Sequence, residues 1–267
     1  QVIAAIEAGK RGVLCEKPLA TTRVEAERIA DAAAAAGVPI VVGAMHTADP
    51  GWLAARAAWG ELVEQVHTVR SRIVIPQNDR YEDWATEFLR GEPWVPVHSD
   101  DPAVQLQTVT DGILAPASHA LPHVRAFLPG FGDVRVDHAQ PLDPWGYLLV
   151  LTAGDQVAQL TGVAHHRWNP QWSFEAIGPR ASLHLQLPPS FVHAGSAVAT
   201  LRTPERTVVL GPYPHDGYEL EWLRLADAVG GDPAAVPPLQ EVIDDLTFAV
   251  DLVEQSARFF GTKEDAA

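Results

Sequence analysis

Residues 13–20 read VLCEKPLA, and this stretch decides how the rest of the chain is interpreted. Two apolar residues and Cys15 look like a short buried strand, but the run ends on Glu16, Lys17 and Pro18. Proline cannot continue a central strand, and charged side chains avoid the core. The strand therefore ends here, and its polar end needs an explanation.

Length and composition place the chain among globular proteins with one large domain or two modest ones. It has 267 residues, of which 47% are hydrophobic and 20% charged, so it can bury a sizeable core. We find no membrane-length apolar run and no signal peptide, and therefore expect no membrane partner. The net charge of −15 disfavours nucleic acid. Cys15 is the single cysteine, which excludes an internal disulfide and favours the cytoplasm.

The first 60 residues alternate between helix and strand patterns. A short amphipathic helix precedes the strand that ends at Glu16, and a second helix follows and ends at Gly37. Residues 39–46, PIVVGAMH, predict a second buried strand, and Asp49 caps a third helix. This alternation is typical of a parallel, doubly wound sheet, so residues 1–60 predict an incomplete α/β unit.

The pattern changes after the first 60 residues. An alternating strand at 63–75 is followed, within 133–211, by seven strand-like segments with turn signals, and two helices close the chain. A long loop between them holds Trp84 and Trp94, which could belong to a lid or to a surface insertion. We expect 61–267 to form an α+β domain with a large, mainly antiparallel open sheet backed by helices. Its last helices are free to pack back on the first unit.

Residues 8–52, which include AGKRGVLCEKPLA, VPIVVGAMH and DPGW, resemble the Gfo/Idh/MocA family of NAD(P)-dependent oxidoreductases. The resemblance continues through SHALPH at 118–123, IGPRASLHL at 177–185 and the final long helix. It implies a partial Rossmann domain over 1–60 and an oxidoreductase acting on a sugar, polyol or related compound with NAD or NADP. It also implies a homodimer or homotetramer formed through the open sheet.

The glycine-rich turn that holds dinucleotide phosphates in Rossmann folds is not found in this sequence. The resemblance implies that it belongs to a Rossmann half that precedes Gln1, together with the residues that select NAD or NADP. Without such a half, the alternative is a repurposed relative that binds a ligand or serves an enzyme as an accessory subunit.

A ligand site would explain the polar end of the strand at residues 13–16, because open α/β sheets bind ligands beyond the carboxyl ends of their strands. The resemblance implies that Lys17 donates a hydrogen bond to the reacting oxygen near the nicotinamide ribose, with Glu16 and Pro18 beside it in the cofactor contact. The alternative is a surface lysine that follows a buried strand.

The resemblance also implies a proton carrier. Family members have an Asp-x-x-x-His pair on one helix face, in which the histidine exchanges the hydroxyl proton and the carboxylate orients it. His119 matches the histidine, but Ala115 stands at the carboxylate position and Pro122 replaces an acid that often follows. Asp111 is a weak substitute, because Pro116 bends the helix between Asp111 and His119.

The remaining histidines are candidates with plainer alternatives. His46 follows the second strand and could contact substrate, or could be a loop histidine without a role. His123, four residues after His119, could contact substrate; a third ligand is not evident, so we expect no metal. The histidines and tryptophans of residues 165–172 suit either a sugar ring or a subunit interface, and we favour the interface.

Overall fold

The computed structural model describes residues 1–76, 99–128, 130–165, 170–190 and 195–261. The tryptophans of the predicted lid, Trp84 and Trp94, lie outside these ranges, as do His166 and Trp168.

Helices and strands alternate at the start of the chain, and strands dominate its middle. The helices of the described ranges are α1 (Val2–Glu7), α2 (Arg23–Ala36), α3 (Met45–Ala48), α4 (Pro50–Ala58), α5 (Leu62–Gln65), α6 (Pro102–Leu114), α7 (Leu121–Arg125), α8 (Gly217–Gly230) and α9 (Leu239–Ser256). The strands are β1 (Val13–Glu16), β2 (Ile40–Gly43), β3 (Thr68–Pro76), β4 (Arg135–Pro141), β5 (Trp145–Ala153), β6 (Gln156–His165), β7 (Gln171–Ile177), β8 (Ser182–Leu187), β9 (Val198–Arg202) and β10 (Thr207–Leu210). None of these helices is long and apolar enough to cross a membrane.

A two-stranded parallel sheet forms the first unit, as the alternating pattern predicts. β1 and β2 pair in register, so that Glu16 lies opposite Gly43 at the carboxyl ends of both strands. Apolar residues of α1, α2 and the sheet form a small core, which Ile243 and Leu246 of α9 complete. The final helix thus packs back on the first unit and helps to fix its position.

The predicted end of helix α2 at Gly37 is confirmed, and Thr22 caps its start. The Oγ1 atom of Thr22 accepts a hydrogen bond from the Glu25 amide (3.2 Å), and Gly37 ends the helix with a φ of 64°. Threonine offers a short acceptor for a free helical N–H, and glycine adopts the left-handed conformation without steric cost. This helix brings the chain back from β1 to β2 in parallel.

An eight-stranded sheet forms the second unit, in the order β10-β9-β8-β7-β3-β6-β5-β4. Only the β3–β6 pair of this sheet is parallel, so the predicted, mainly antiparallel sheet is confirmed. Helices α6, α7 and α9 contact one face of the sheet and enclose the main core. The largest fully buried side chains of this core are Trp172, Tyr147, Phe127, Phe174 and Phe248.

Asp49 connects helix α4 to the large sheet. Its buried carboxylate accepts hydrogen bonds from the Gly51 and Trp52 amides at the helix start (2.7 and 3.2 Å). It also accepts one from the Ala197 amide, which directly precedes β9 (2.9 Å). The predicted cap of this helix is therefore confirmed, and the same carboxylate joins two elements that are distant in sequence.

We expect Asp49→Ala to lower the free energy of unfolding by about 2 to 4 kcal/mol, because it removes a helix cap and leaves the buried Ala197 amide without its acceptor. Asp101→Ala is the matched control: Asp101 caps α6 through the Ala103 amide (2.9 Å) but is exposed, so its loss should cost about 1 kcal/mol. Urea unfolding of both variants gives the comparison. Equal losses would show that the bond to Ala197 contributes nothing.

Candidate active site

Lys17 directly follows β1 and lies at the carboxyl ends of the two parallel strands. Its ammonium Nζ donates a hydrogen bond to the backbone carbonyl of Ala115 (2.9 Å), which also accepts one from the Oγ atom of Ser118 (2.7 Å). Ala115 is the C-cap of α6, where the partial negative charge of the helix end favours a cation. Lys17 is half-buried, and burial lowers its pKa while the adjacent Glu16 opposes that shift. The side chain is thus an oriented ammonium rather than a freely solvated one.

Proline breaks the segment that carries His119. Helix α6 ends before Ala115, whose dihedral angles are φ −105° and ψ −81°, and a 3-10 turn over Ala117–His119 follows. Pro116 explains the break, since it has no N–H for the next helical hydrogen bond. Ala115 and His119 therefore do not lie one α-helical turn apart on a common face, and Ala115 instead presents its carbonyl to Lys17.

Three histidines from separate elements form a buried cluster with one tryptophan. His46 of α3, His119 of the 3-10 turn and His123 of α7 are 2%, 9% and 0% exposed. The ring centroid of His46 lies 5.6 Å from that of His119 and 6.4 Å from that of His123. Trp172 of β7 lies 5.2 Å from His46 and 5.3 Å from His119, measured between ring centroids. The fold thus brings together three of the histidines that the sequence singles out.

Trp172 corrects one expectation. The sequence assigns it, with its neighbours, to a subunit interface, but it is 2% exposed and packs inside its own chain. Trp172, Phe174 and Ala176 alternate on the inner face of β7, which points into the main core. Every second residue of this strand is apolar and Trp172 belongs to that set, so the alternation in the sequence is the signal that would have placed Trp172 in the core.

Burial keeps the three histidines neutral. Desolvation lowers the pKa of His46 to about 4, that of His119 to about 2 and that of His123 to about 3. For His119, the positive charge of Lys17 adds to the effect of burial, so these two side chains act on each other directly. The site therefore pairs a charged ammonium with a neutral imidazole.

Acidification should destabilise the protein through this cluster. The pKa of each buried histidine lies below its ordinary value of 6.5, so its stabilising contribution is present above pH 6.5 and is lost as the pH falls toward the folded-state pKa. Near pH 5, the free energy of unfolding should fall by about 1.4 kcal/mol per pH unit for each histidine.

Urea titrations at several pH values test this expectation. His123→Phe replaces a fully buried ring with one of similar size. It should lower the slope of the free energy of unfolding against pH by the contribution of one proton. His138→Phe, at an exposed position, should leave the slope unchanged. A slope in His123→Phe that equals the wild-type slope would show that His123 is not a buried neutral histidine.

The other predicted residues divide into two groups. Glu16 and Pro18 flank Lys17, and the Glu16 carboxylate lies directly over Gly43, where a Cβ would come within 2.8 Å of Oε2. Asp111 lies apart: it is exposed on α6 and accepts a hydrogen bond from the Nε2 atom of Gln107 (2.7 Å) instead of contacting His119. The structure thus gathers Glu16, Lys17 and Pro18 at the strand end and does not bring Asp111 to the histidine cluster.

A recess beside Lys17 contains residues that the sequence did not single out. It has a volume of about 90 Å³, and its lining includes the polar residues Lys17, Thr47, Ser118, Glu221, Arg224 and Asp245. Glu221 of α8 is 2% exposed, and burial and the nearby Glu16 raise its pKa to about 8. Its Oε1 atom has no hydrogen-bond partner in the described ranges.

The sequence carries one sign of this recess. Gly217, Glu221 and Leu225 recur at four-residue spacing on the buried face of α8, so an acid interrupts an otherwise small or apolar inner face. Such a residue is typical of a functional position or of a buried pair. No group of three or more His, Cys, Asp or Glu side chains within the described part of the chain is placed to hold a metal ion.

The chain thus joins a parallel α/β unit, with an oriented lysine at its strand end, to a large and mainly antiparallel sheet. Residues 1–44 match the family model GFO_IDH_MocA, described as an oxidoreductase family with an NAD-binding Rossmann fold. This match to the N-terminal segment confirms the resemblance to the Gfo/Idh/MocA family drawn from the EKP stretch.

One curated relative is similar over a short segment. The chain is 52% identical over 62 residues to inositol 2-dehydrogenase of Paracoccus denitrificans (strain Pd 1222). The match covers 23% of this chain and 18% of that protein, so it spans about a fifth of the relative's length.

Two solved structures share the fold over nearly the whole chain. KijD10, a 3-ketoreductase from Actinomadura kijaniata solved with NADP and TDP-benzene, is 19% identical, with a TM-score of 0.62 over 95% of this chain and 72% of that chain. UDP-N-acetylglucosamine 3-dehydrogenase GnnA from Acidithiobacillus ferrooxidans is 14% identical, with a TM-score of 0.64 over 97% and 75% of the two chains. These similarities confirm the predicted fold class.

The residues at the strand ends fit a nicotinamide dinucleotide, and the NAD-binding family match confirms this predicted cofactor class, NAD or NADP. The Lys17 ammonium offers three N–H donors, of which one is directed to the Ala115 carbonyl. The buried Oε1 atom of Glu221 also lacks a partner among the described residues. Both groups can therefore take up polar atoms of a ligand. The described residues include no glycine-rich turn, so they do not account for pyrophosphate binding.

Proposed function

We propose that the protein is an NAD(P)-dependent oxidoreductase that acts on a hydroxyl or carbonyl group of a sugar, polyol or related compound. The observation that carries the proposal is the half-buried Lys17 ammonium at the carboxyl end of β1, held 2.9 Å from the Ala115 carbonyl beside a buried neutral imidazole. The family match supports it, and so do the activities of two similar proteins, inositol 2-dehydrogenase and UDP-N-acetylglucosamine 3-dehydrogenase.

The two side chains take complementary roles in this reaction. A bound nicotinamide dinucleotide supplies the chemistry of hydride transfer. Lys17 donates a hydrogen bond to the substrate oxygen and stabilises the negative charge that develops on it. One ring nitrogen of the neutral His119 carries a lone pair that accepts the hydroxyl proton during oxidation and returns it during reduction; burial and the charge of Lys17, which lower its pKa, make it a weak base that does not keep the proton.

The neighbouring residues support this pair. We propose that Glu16 and Pro18 shape the cofactor contact beside Lys17, because they flank it at the strand end. His46 and His123, which the sequence assigns to the substrate, are 2% and 0% exposed, and their burial favours a supporting role behind His119.

We further propose that the functional division falls after residue 60, between the small parallel sheet and the α+β domain, and that the protein is a cytoplasmic homo-oligomer. The resemblance to the family, which implies association through the open sheet, supports self-association; Arg70 and Glu175 (3.8 Å apart) lie on that sheet. Sedimentation of the natural protein tests the oligomeric state.

Turnover assays of the natural, full-length protein test the proposed function. We expect reduction of NAD or NADP with at least one member of a panel of free sugars, polyols and nucleotide sugars. A folded protein that oxidises or reduces no member of the panel with either dinucleotide would favour the repurposed relative.

A further inference from the structure

We propose that Glu221 of α8 binds the carboxamide group of the nicotinamide dinucleotide, at the recess beside Lys17. This inference rests on the proposed function and deepens it, because it names a residue that recognises the reactive end of the cofactor. Three properties of the recess carry it: its position in the fold, its mainly apolar lining and the unpartnered acceptor atom of Glu221.

The recess lies at the carboxyl ends of the two parallel strands. Lys17 and Pro18, which follow β1, contribute to its lining together with Val41 and Val42 of β2, and helices α6 to α9 supply most of the rest. None of the described residues that line it belongs to a strand of the large sheet. Dinucleotides lie across the carboxyl ends of the strands in Rossmann folds, so the position of the recess favours the cofactor over a substrate held against the large sheet.

Few polar groups of the recess have hydrogen-bonding capacity left. The hydroxyl groups of Thr47 and Ser118 already donate to backbone carbonyls (2.9 and 2.7 Å). Asp245 forms an ion pair with Arg125 (2.6 Å). A sugar, which has a hydroxyl on most of its carbons, would leave several of them buried without partners in such a recess. A flat nicotinamide ring with a single polar substituent matches the lining better.

Glu221 supplies the acceptor that the cations of the recess lack. Lys17 and Arg224 also line it, but an ammonium and a guanidinium only donate hydrogen bonds. Glu221 is 2% exposed, and its Oε1 atom is buried without a hydrogen-bond partner in the described ranges. An unpaired buried polar atom costs free energy, so a ligand group that bonds Oε1 recovers this cost on binding.

The protonation state of Glu221 fits an amide ligand. Burial and the nearby Glu16 raise the pKa of Glu221 to about 8, so its carboxyl is mostly protonated at pH 7. A protonated carboxyl has one O–H donor and one carbonyl acceptor. A primary amide has an N–H donor and a carbonyl acceptor in one plane, so the two groups form two parallel hydrogen bonds without burying a net charge.

Binding measurements on the natural, full-length protein test this inference without turnover. The probes are NAD, NADP and their 3-acetylpyridine analogues, in which a methyl group replaces the amide nitrogen and removes its N–H donors. We expect isothermal titration calorimetry to show that the wild-type protein binds the parent dinucleotide about 10-fold more tightly than its analogue. Equal affinities would overturn the inference, and this comparison does not depend on the folding of any variant.

Variants of Glu221 assign the preference to its carboxyl. Glu221→Met keeps the length of the side chain and removes both oxygens, so it should weaken binding of the parent dinucleotide about 10-fold and leave binding of the analogue nearly unchanged. Glu221→Gln keeps a donor and an acceptor and should retain the preference. Asp227→Met is the matched control, since Asp227 is exposed on the same helix, and wild-type affinities are expected for it. A folded Glu221→Met that keeps the full preference would contradict the inference.

The results separate this inference from the proposed function. A protein that turns over a substrate with NAD or NADP, but binds the parent dinucleotide and its analogue equally, would retain the proposed function and overturn the inference. A full-length protein that binds neither dinucleotide would overturn both.

Discussion

Lys17→Met should reduce kcat by about 100-fold or more, because removing one preorganised donor from a developing negative charge costs roughly 10²–10³ in rate. Methionine keeps most of the length and the apolar part of the side chain, and it removes the ammonium that bonds the Ala115 carbonyl at 2.9 Å. The measurement is steady-state kinetics of the natural protein with the substrate that the panel identifies.

Lys10→Met is the matched control for this experiment. Lys10 is exposed and precedes the same strand, so its replacement changes the net charge equally and should leave kcat and KM at wild-type values. Circular dichroism and thermal unfolding establish that both variants fold. Wild-type turnover in a folded Lys17→Met would remove this lysine from the chemistry.

His119→Asn should also reduce kcat by about 100-fold or more, since proton transfer by a positioned side chain typically contributes 10²–10⁴. Asparagine is polar and of comparable shape, but it cannot accept the hydroxyl proton. KM should change little, because the lost interaction belongs to the transition state. Kinetics in both reaction directions measure the effect.

His138→Asn controls for the loss of a histidine, since His138 is exposed on β4 and bonds Gln140 at 2.8 Å. It should behave as wild type. A variant at His119 with a raised KM and an unchanged kcat would assign that ring to substrate binding rather than to proton transfer.

The fold follows closely from local sequence patterns. The boundaries of α2 and α4 depend on nearby caps, and the predicted caps at Gly37 and Asp49 both form. The strands of the large sheet follow from alternating residues that face the core, as in β5 and β7. Periodicity and capping depend on residues that are close in sequence, so they predict helices and strands without knowledge of the tertiary packing.

The site follows from the sequence only in part. Lys17 is predictable because a polar strand end of a parallel sheet is where such folds bind ligands. The contact with Ala115 is not, because the Asp-x-x-x-His motif assumes a continuous helix and Pro116 ends it. A hydrogen bond to a backbone carbonyl leaves no mark in the sequence.

Burial of the histidine cluster depends on packing between distant elements. His46 receives its partner from Pro188, 142 positions later, and its ring contacts from His119 and Trp172. No local pattern encodes such an arrangement. Glu221 is similar, since its burial and raised pKa arise only when α8 covers the ends of β1 and β2.

A double-mutant cycle with Lys17→Met and His119→Asn tests most directly the claim that these two residues act together on one substrate oxygen. Residues that act as a unit show strongly non-additive effects on rate. We expect the double variant to lose about as much kcat as the more impaired single variant. A loss equal to the product of the two single losses would contradict a joint reaction site at the end of β1.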